Sequence, residues 1–277
     1  SVYGGMLSYN LFRTEDKQVK GKKIKGWFVD LTGSVSHERS RVTPSLGVAS
    51  DVDMDLWSIG INIHRSDELS NTSLMFNRTQ SMGGSNRDDF QKARLETEPD
   101  FAIYNLSAAH SQFLDPDRIN RLNGSFHFIT SDERLVPAKM TLFGGFYSVR
   151  GYKEYEIVAD GGVLASIQYE FDLVKYDQKA EGTSIAGGPA RGDKSQAQKP
   201  WLRRLAPLAF IDYGRAKTNS PVAGEQDVRE LCSIGTGAIV VLGDNFMGTI
   251  YYGWPLRETD ETDRYDGRFN FSFLYRF

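Results

Sequence analysis

The stretch VLASIQYEFDL, residues 163–173, decides how the chain is read. Val163, Ala165, Ile167, Tyr169, Phe171 and Leu173 alternate with Leu164, Ser166, Gln168, Glu170 and Asp172. A period of two sends successive side chains to opposite faces, so this is a strand with one apolar face and one mainly polar face. The pattern recurs. Residues 26–37 set Trp27, Val29, Leu31 and Val35 against Phe28, Asp30, Thr32, Ser34 and Ser36. Residues 56–64 set Trp57, Ile59, Ile61 and Ile63 against Ser58, Gly60, Asn62 and His64. Residues 122–128 set Leu122, Phe126 and Phe128 against Asn123, Ser125 and His127. Similar runs lie near 2–12, 69–81, 100–112, 204–214, 230–242, 245–257 and 267–277. That makes about eleven strands of about ten residues, the length that crosses a bilayer at a tilt. No amphipathic helical pattern of useful length is read.

A soluble β-sandwich would also alternate. Two features favour a membrane barrel. The apolar face is bulky almost without interruption, and the other carries Asp, Glu, Gln, Asn, His and Ser, which a sandwich core could not leave unpaired. The end of the chain, GRFNFSFLYRF, puts Phe269, Phe271, Phe273, Tyr275 and Phe277 on one face, with Arg268, Asn270, Ser272, Leu274 and Arg276 on the other. Such a stripe invites aggregation in water but is stable against lipid. Mean hydropathy is −0.43, which excludes a bundle of membrane helices but not a barrel, whose strands average out to polar. The net charge of −3 gives no basic field for nucleic acid. A single cysteine, Cys232, excludes a disulfide framework and a cysteine zinc site.

Connections differ in length: Gly243-Asp244 is a tight turn, whereas 83–99, 131–161 and 177–203 are long and polar. Barrels commonly gather short turns at one end and long loops at the other. The 131–161 loop contains FGGFYSVRGYKEYE, residues 143–156. Gly144, Gly145 and Gly151 permit tight turns, and Tyr147, Tyr152 and Tyr155 give the loop bulk with hydroxyl ends for packing in a wet cavity. An arginine folded inward among them, Arg150, needs an acidic partner. In LAPLAFIDYG, residues 205–214, alternation puts Leu205, Pro207, Ala209, Ile211 and Tyr213 outward and Phe210, Asp212 and Gly214 inward. Asp212 is thus a candidate partner on charge and side; Glu170 and Asp172 are rivals.

These residues carry a resemblance. SVRGYKEYEIVADGGVLASIQYEF is similar to the inward-folded loop and following strand of the TpsB transporters of two-partner secretion, the haemolysin secretion/activation proteins of the ShlB/FhaC/HecB type. The VRGY tetrad falls on Val149, Arg150, Gly151 and Tyr152, and the inner-wall motif on Phe210, Asp212 and Gly214. YYGWPLR (251–257) and the terminal strand resemble the last two TpsB strands; an aromatic end with Phe273, Tyr275 and Phe277 resembles the C-terminal β-signal of outer-membrane proteins. The resemblance spans the chain and is strongest from about residue 135 onward.

It implies an all-β fold: part of a transmembrane antiparallel barrel of roughly sixteen strands, with the 131–161 loop folded into the lumen. About six strands precede the VRGY loop here, against about eleven in the family. The sequence opens at Ser1 without initiator Met or signal peptide, and its first strand resembles an interior one. Residues 1–277 therefore read as the C-terminal portion of the transporter barrel, with the POTRA domains, plug helix and first strands outside this sequence. By resemblance the protein sits in the bacterial outer membrane and secretes a TpsA-type exoprotein to the cell surface. Its other partners are outer-membrane lipid and, during biogenesis, the barrel assembly machinery. No cofactor, metal or nucleic acid is implied.

Three other functions fit the sequence less well. A passive porin shares the strands but does not need the VRGY and inner-wall motifs. An outer-membrane protein insertase of the same superfamily is disfavoured by the last two strands. An enzyme needs a nucleophile or activated water, a base and an orienting group in one place, whereas the four histidines are scattered and lack metal-ligand spacing. RGD at 191–193 lies in a polar loop where such triplets arise by composition, and GTG at 235–237 precedes no helix.

Overall fold

The computed structural model describes residues 1–19, 22–43, 49–180 and 201–276. Its strands in chain order are β1 (Val2–Arg13), the short hairpin strands β2 (Lys17–Val19) and β3 (Lys22–Ile24), β4 (Phe28–Val42), β5 (Ser50–Ser66), β6 (Ser70–Gly84), β7 (Ala102–Phe113) and β8 (Asn120–Ser131). Then come the short strands β9 (Thr141–Phe143) and β10 (Ile157–Ala159), β11 (Gly161–Phe171), β12 (Leu202–Lys217), β13 (Val228–Leu242), β14 (Phe246–Pro255) and β15 (Arg268–Tyr275). All but the two short pairs form one eleven-stranded sheet, order β1-β4-β5-β6-β7-β8-β11-β12-β13-β14-β15. Each strand pairs antiparallel with its predecessor in that order, leaving β1 and β15 at the edges.

Register carries the alternation from strand to strand. Ile167 lies opposite Ile211, Ile211 opposite Ile234, and Ile234 opposite Trp254, which builds an apolar row on the outer face. One residue away, Ser166, Asp212 and Ser233 form the matching row on the inner face. A slip of one position would exchange the two faces, so two different environments fix the register. Ile167, Ile211 and Ile234 are each about half exposed, while Asp212 and Ser233 are fully buried. The apolar face is therefore the one that nothing among the described residues covers, which suits lipid. Phe269, Phe271, Phe273 and Tyr275 continue it on β15. Phe277 lies outside the described residues.

The outer face also marks the limits of the hydrocarbon. Val35 pairs with Trp57; beyond them come His37, Arg39 and Arg41 on β4 and Asp55, Asp53 and Asp51 on β5. Arg78 lies over the rings of Trp57 and Tyr104. Towards the other end, Arg65 lies over Trp27. Between Trp57 and Arg65 the outward residues of β5 are Ile59, Ile61 and Ile63. Eight steps at about 3.3 Å, tilted, span about 20 Å, close to the apolar band of outer-membrane barrels. Charges on this face at midplane would cost about 2–4 kcal/mol each, so they begin where that band stops.

Two sequence expectations need correction. Helices are present: α1 (Arg87–Ala93) and α2 (Leu173–Ala180). They are too short to show a period. α1 is set by its cap, where the Asn86 side chain accepts from the Asp89 amide at 3.1 Å, and by Phe90, its one buried residue. Phe90, Phe101, Leu135 and Val136 pack on Val52, Met54 and Leu56 of the inner face. The long connections also do not share one end. Two strands separate 85–101 from 132–160, which puts them together; one strand separates 132–160 from α2 and Trp201, which puts these opposite, where the Gly243 amide of the 243–245 turn bonds to the Trp201 carbonyl.

The two faces can be told apart by labelling. In a Cys232→Ser background, single cysteines replacing Phe269, Phe271 or Phe273 should react with lipid-soluble but not membrane-impermeant maleimides, and replacements of Asn270 or Ser272 should not share that lipid reactivity. Aqueous reactivity on the aromatic parity contradicts the lipid face.

Candidate functional site

The connection between β8 and β11 doubles back over the inner face. Pairing of Phe143 with Ile157 and of Thr141 with Ala159 closes its tip, residues 144–156, into a compact loop. Gly144, Gly145 and Gly151 have φ of 97°, 94° and 96°, a region that favours glycine. Phe143, Val149, Tyr152, Ile157 and Ala159 from the loop bury against Ala216 and Leu231 of the wall. Val149 stands over Gly214; a Cβ there would lie 2.8 Å from the valine Cγ2, so the last glycine of the inner-wall motif is the floor on which the loop rests.

Arg150 follows Val149 and turns into the wall. Its Nε donates to Asp212 Oδ2 at 2.7 Å and its Nη2 to Oδ1 at 2.8 Å, while its backbone N–H donates to Oδ2 at 3.0 Å. Nη1 donates to Gln168 Oε1 at 2.5 Å and Nη2 to Ser166 Oγ at 3.1 Å. Ser166 in turn donates to Asp212 Oδ1 at 2.6 Å. The guanidinium lies over Phe210, 3.6 Å from the ring centroid, with Tyr251 at 4.8 Å. Only 7% of Arg150 and none of Asp212 is exposed. The rivals are engaged elsewhere: Glu170 accepts from Arg204, Asn123 and Gln168, and Asp172 faces Arg204 and Lys175. Buried in this way, the pair is costly to break, about 3–5 kcal/mol when one partner is removed.

Gly151 and Tyr152 fasten the other side of the loop. A Cβ on Gly151 would lie 2.9 Å from the carbonyl carbon of Gly253, and one on Gly253 only 2.8 Å from the Gly151 nitrogen. Two backbones thus touch directly between loop and β14. The Tyr152 hydroxyl sits between two strand ends, within 2.9 Å of the carbonyls of both Cys232 and Arg257 and accepting from their amides at 3.2 and 3.3 Å. It can donate to one carbonyl at a time.

The structure therefore brings Val149, Arg150, Gly151 and Tyr152 together with Phe210, Asp212 and Gly214. It leaves Phe273 and Tyr275 apart, on the lipid side, where Phe273 stacks on Phe246. The three loop tyrosines differ in role: Tyr152 is buried, but Tyr147 and Tyr155 are exposed. Sequence reasoning missed Ser166, Gln168, Tyr251 and Gly253. The first two lie on the inner parity of β11, and a glycine within a strand is itself a signal of close backbone approach. Among the described residues no three potential metal ligands converge.

Alanine at Gly151 or Gly253 should lift the loop from the wall. In hydrogen exchange, the amides of Arg150 and Tyr152 should exchange at least tenfold faster in either variant while those of β13 stay protected. Gly124→Ala, where an added Cβ meets nothing within 4 Å, should change neither.

Comparison with known proteins bears on the family and the fold. The family described as haemolysin secretion/activation protein ShlB/FhaC/HecB matches residues 48–185, about half of the chain. The structure of CdiB from Escherichia coli superposes with a TM-score of 0.73 at 19% identity, over 99% of this chain and 45% of that one. CdiB from Acinetobacter baumannii gives 0.43 at 14%, over 99% and 50%. The chain thus spans about half the length of the solved structures it matches. Comparison with curated sequences found no match. The fold is that of an outer-membrane β-barrel, and the chain belongs to the haemolysin secretion/activation family ShlB/FhaC/HecB, the TpsB transporters.

Proposed function

We propose that this chain is the pore-forming part of a transporter that carries an unfolded partner exoprotein from the periplasm to the cell surface. The observation that carries the reading is the loop tip pinned to the inner wall by Arg150 and Asp212. A passive pore gains nothing from holding a buried ion pair across its interior, whereas a gated one needs an element with a defined seat. Beside the seated loop lies a cavity of about 840 Å³, bordered by Asn62, Ser73, Ser107 and Ser125 on the wall and by Phe146 and Tyr147 at the loop tip. Neutral hydroxyl and amide groups can exchange hydrogen bonds with a passing chain without holding it. The passenger's folding outside supplies the direction, because whatever removes the unfolded form pulls the equilibrium. The partner would be a TpsA-type exoprotein.

In this reading Arg150 seats the loop. Arginine suits the position because its planar fork stays charged and matches a carboxylate at two points. Deleting the gene should trap one large exoprotein in the periplasm while other outer-membrane proteins assemble normally; a general assembly defect would point to an insertase instead. Arg150→Ala and Asp212→Ala should each lower export at least tenfold with barrel levels near normal, and Arg150→Lys should recover little. The double variant should be little worse than either single one, because the pair acts as a unit. Fully additive losses, or normal export by both single variants, would sink the role.

A further inference from the structure

The tip of the loop is seated by Arg150, but its two feet are held by a different set of charges. Asp160, the last residue before β11, is fully buried. Its Oδ1 accepts from Arg94 Nη1 at 2.5 Å and from the Leu135 amide at 2.8 Å. Its Oδ2 accepts from the Asn219 amide at 2.8 Å and from Arg94 Nη2 at 3.3 Å. Arg94 also donates to the Leu135 carbonyl at 2.8 Å. Beside it, Arg134 is almost wholly buried and binds Glu225 through two nitrogens at 2.7 and 2.6 Å, and its Nη1 reaches the carbonyls of Asn219 and Ser220. The Asn219 amide group donates to the carbonyls of Ser131 and Glu133.

Four chain segments meet here. Residues 131–135 and Asp160 are the start and end of the loop, Arg94 follows α1 in the 85–101 connection, and 219–225 join β12 to β13. We infer that Asp160, Arg94, Arg134 and Glu225 are positioning residues that clamp both feet of the 132–160 loop to its neighbours, so that the tip moves as a hinged flap and not as a free tether. The inference rests on the reading of this loop as the moving part of a secretion pore. Its basis is the arrangement: a carboxylate with no solvent access gathers donors from three separate segments, and charged hydrogen bonds of this kind are the strong ones. Arg134 holds the Glu225 carboxyl well below its ordinary range, at about 2, so this contact is ionised at any physiological pH. Among the described residues no ion pair joins feet and tip; Phe143, Ile157 and Ala159 link them through apolar packing with Val149 and Tyr152, and such packing lets the tip shift while the charged feet hold.

The test is the distance between loop tip and wall in the full-length protein in outer-membrane vesicles. Spin labels on Tyr147→Cys and Ser107→Cys, in a Cys232→Ser background, report it by pulsed electron resonance; both positions border the same cavity. Arg150→Ala should add a second, discrete distance, because the feet still guide the tip. Asp160→Asn should instead at least double the width of the distribution with the Arg150 contact intact. If Asp160→Asn fails to reach the membrane, Glu225→Gln, at the half-exposed edge of the cluster, should give the same broadening in smaller measure. Unchanged widths in the variant that inserts, or the same broad distribution from Arg150→Ala alone, overturn the clamp. Export measured in parallel separates the two readings. Broadening as expected with undiminished export of the partner in every variant would leave the clamp standing and remove the transport role. Export lost in Arg150→Ala with an unmoved distribution in Asp160→Asn would do the reverse.

Discussion

A guanidinium and a carboxylate, both out of water, face each other across the interior of this sheet, and much of the surrounding structure follows from that fact. Removing each ion from water costs several kcal/mol, and attraction between them repays this only when the remaining donors and lone pairs are also satisfied. Arg150 meets the condition with Asp212 at two side-chain points, Gln168 and Ser166 on the neighbouring strand, and the Phe210 ring beneath its plane. Asp212 meets it with the Arg150 backbone amide and the Ser166 hydroxyl. Reaching this geometry requires the loop backbone to lie against the wall, which is why Val149 needs Gly214 below it and Gly151 needs Gly253 beside it. The glycines are consequences of the ion pair's depth.

The sheet is stable between two unlike surroundings. Its outward rows, such as Ile167, Ile211 and Ile234, have no partner above them among the described residues and belong against acyl chains. Its inward rows carry the hydrogen-bonding groups. Two apolar clusters form where a connection folds onto the inner face: α1 and residues 135–136 over β5, and the VRGY loop over β12 and β13; a third lies within the wall itself, from Ala206, Leu208 and Phe210 of β12 and Ile239 of β13. What would be a core in a soluble domain is here supplied by loops, and the loops are therefore structural parts of the barrel interior. Charged contacts at their feet and tip fix them in place.

Strand number and facing were legible in the sequence because they depend on a local rule. Side chains two apart share a face, so Val163 to Phe171 or Phe269 to Tyr275 reveals its own orientation without knowledge of any partner, although the alternation read on to Leu173 runs into α2. The same rule put Asp212 inward and gave Arg150 a reason to seek an acid. It could not choose among Asp212, Glu170 and Asp172, since each is an acid on or near the inner face. The choice was made by register: Ser166 opposite Asp212 and Gln168 opposite Phe210 build a site with the right donors, whereas Glu170 is already taken by Arg204. The helices α1 and α2 were missed because they are seven and eight residues long, less than the pattern needs to repeat.

What the sequence determined by itself is thus the two-faced strand and the residue types available on each face, both consequences of backbone geometry within one strand. What the tertiary structure alone decided is which of those residues meet: Arg150 with Asp212, Gly151 with Gly253, and Asp160 with Arg94. Each pair joins segments far apart in the chain, and such contacts depend on strand register and loop path summed over the whole sheet. No local period encodes them.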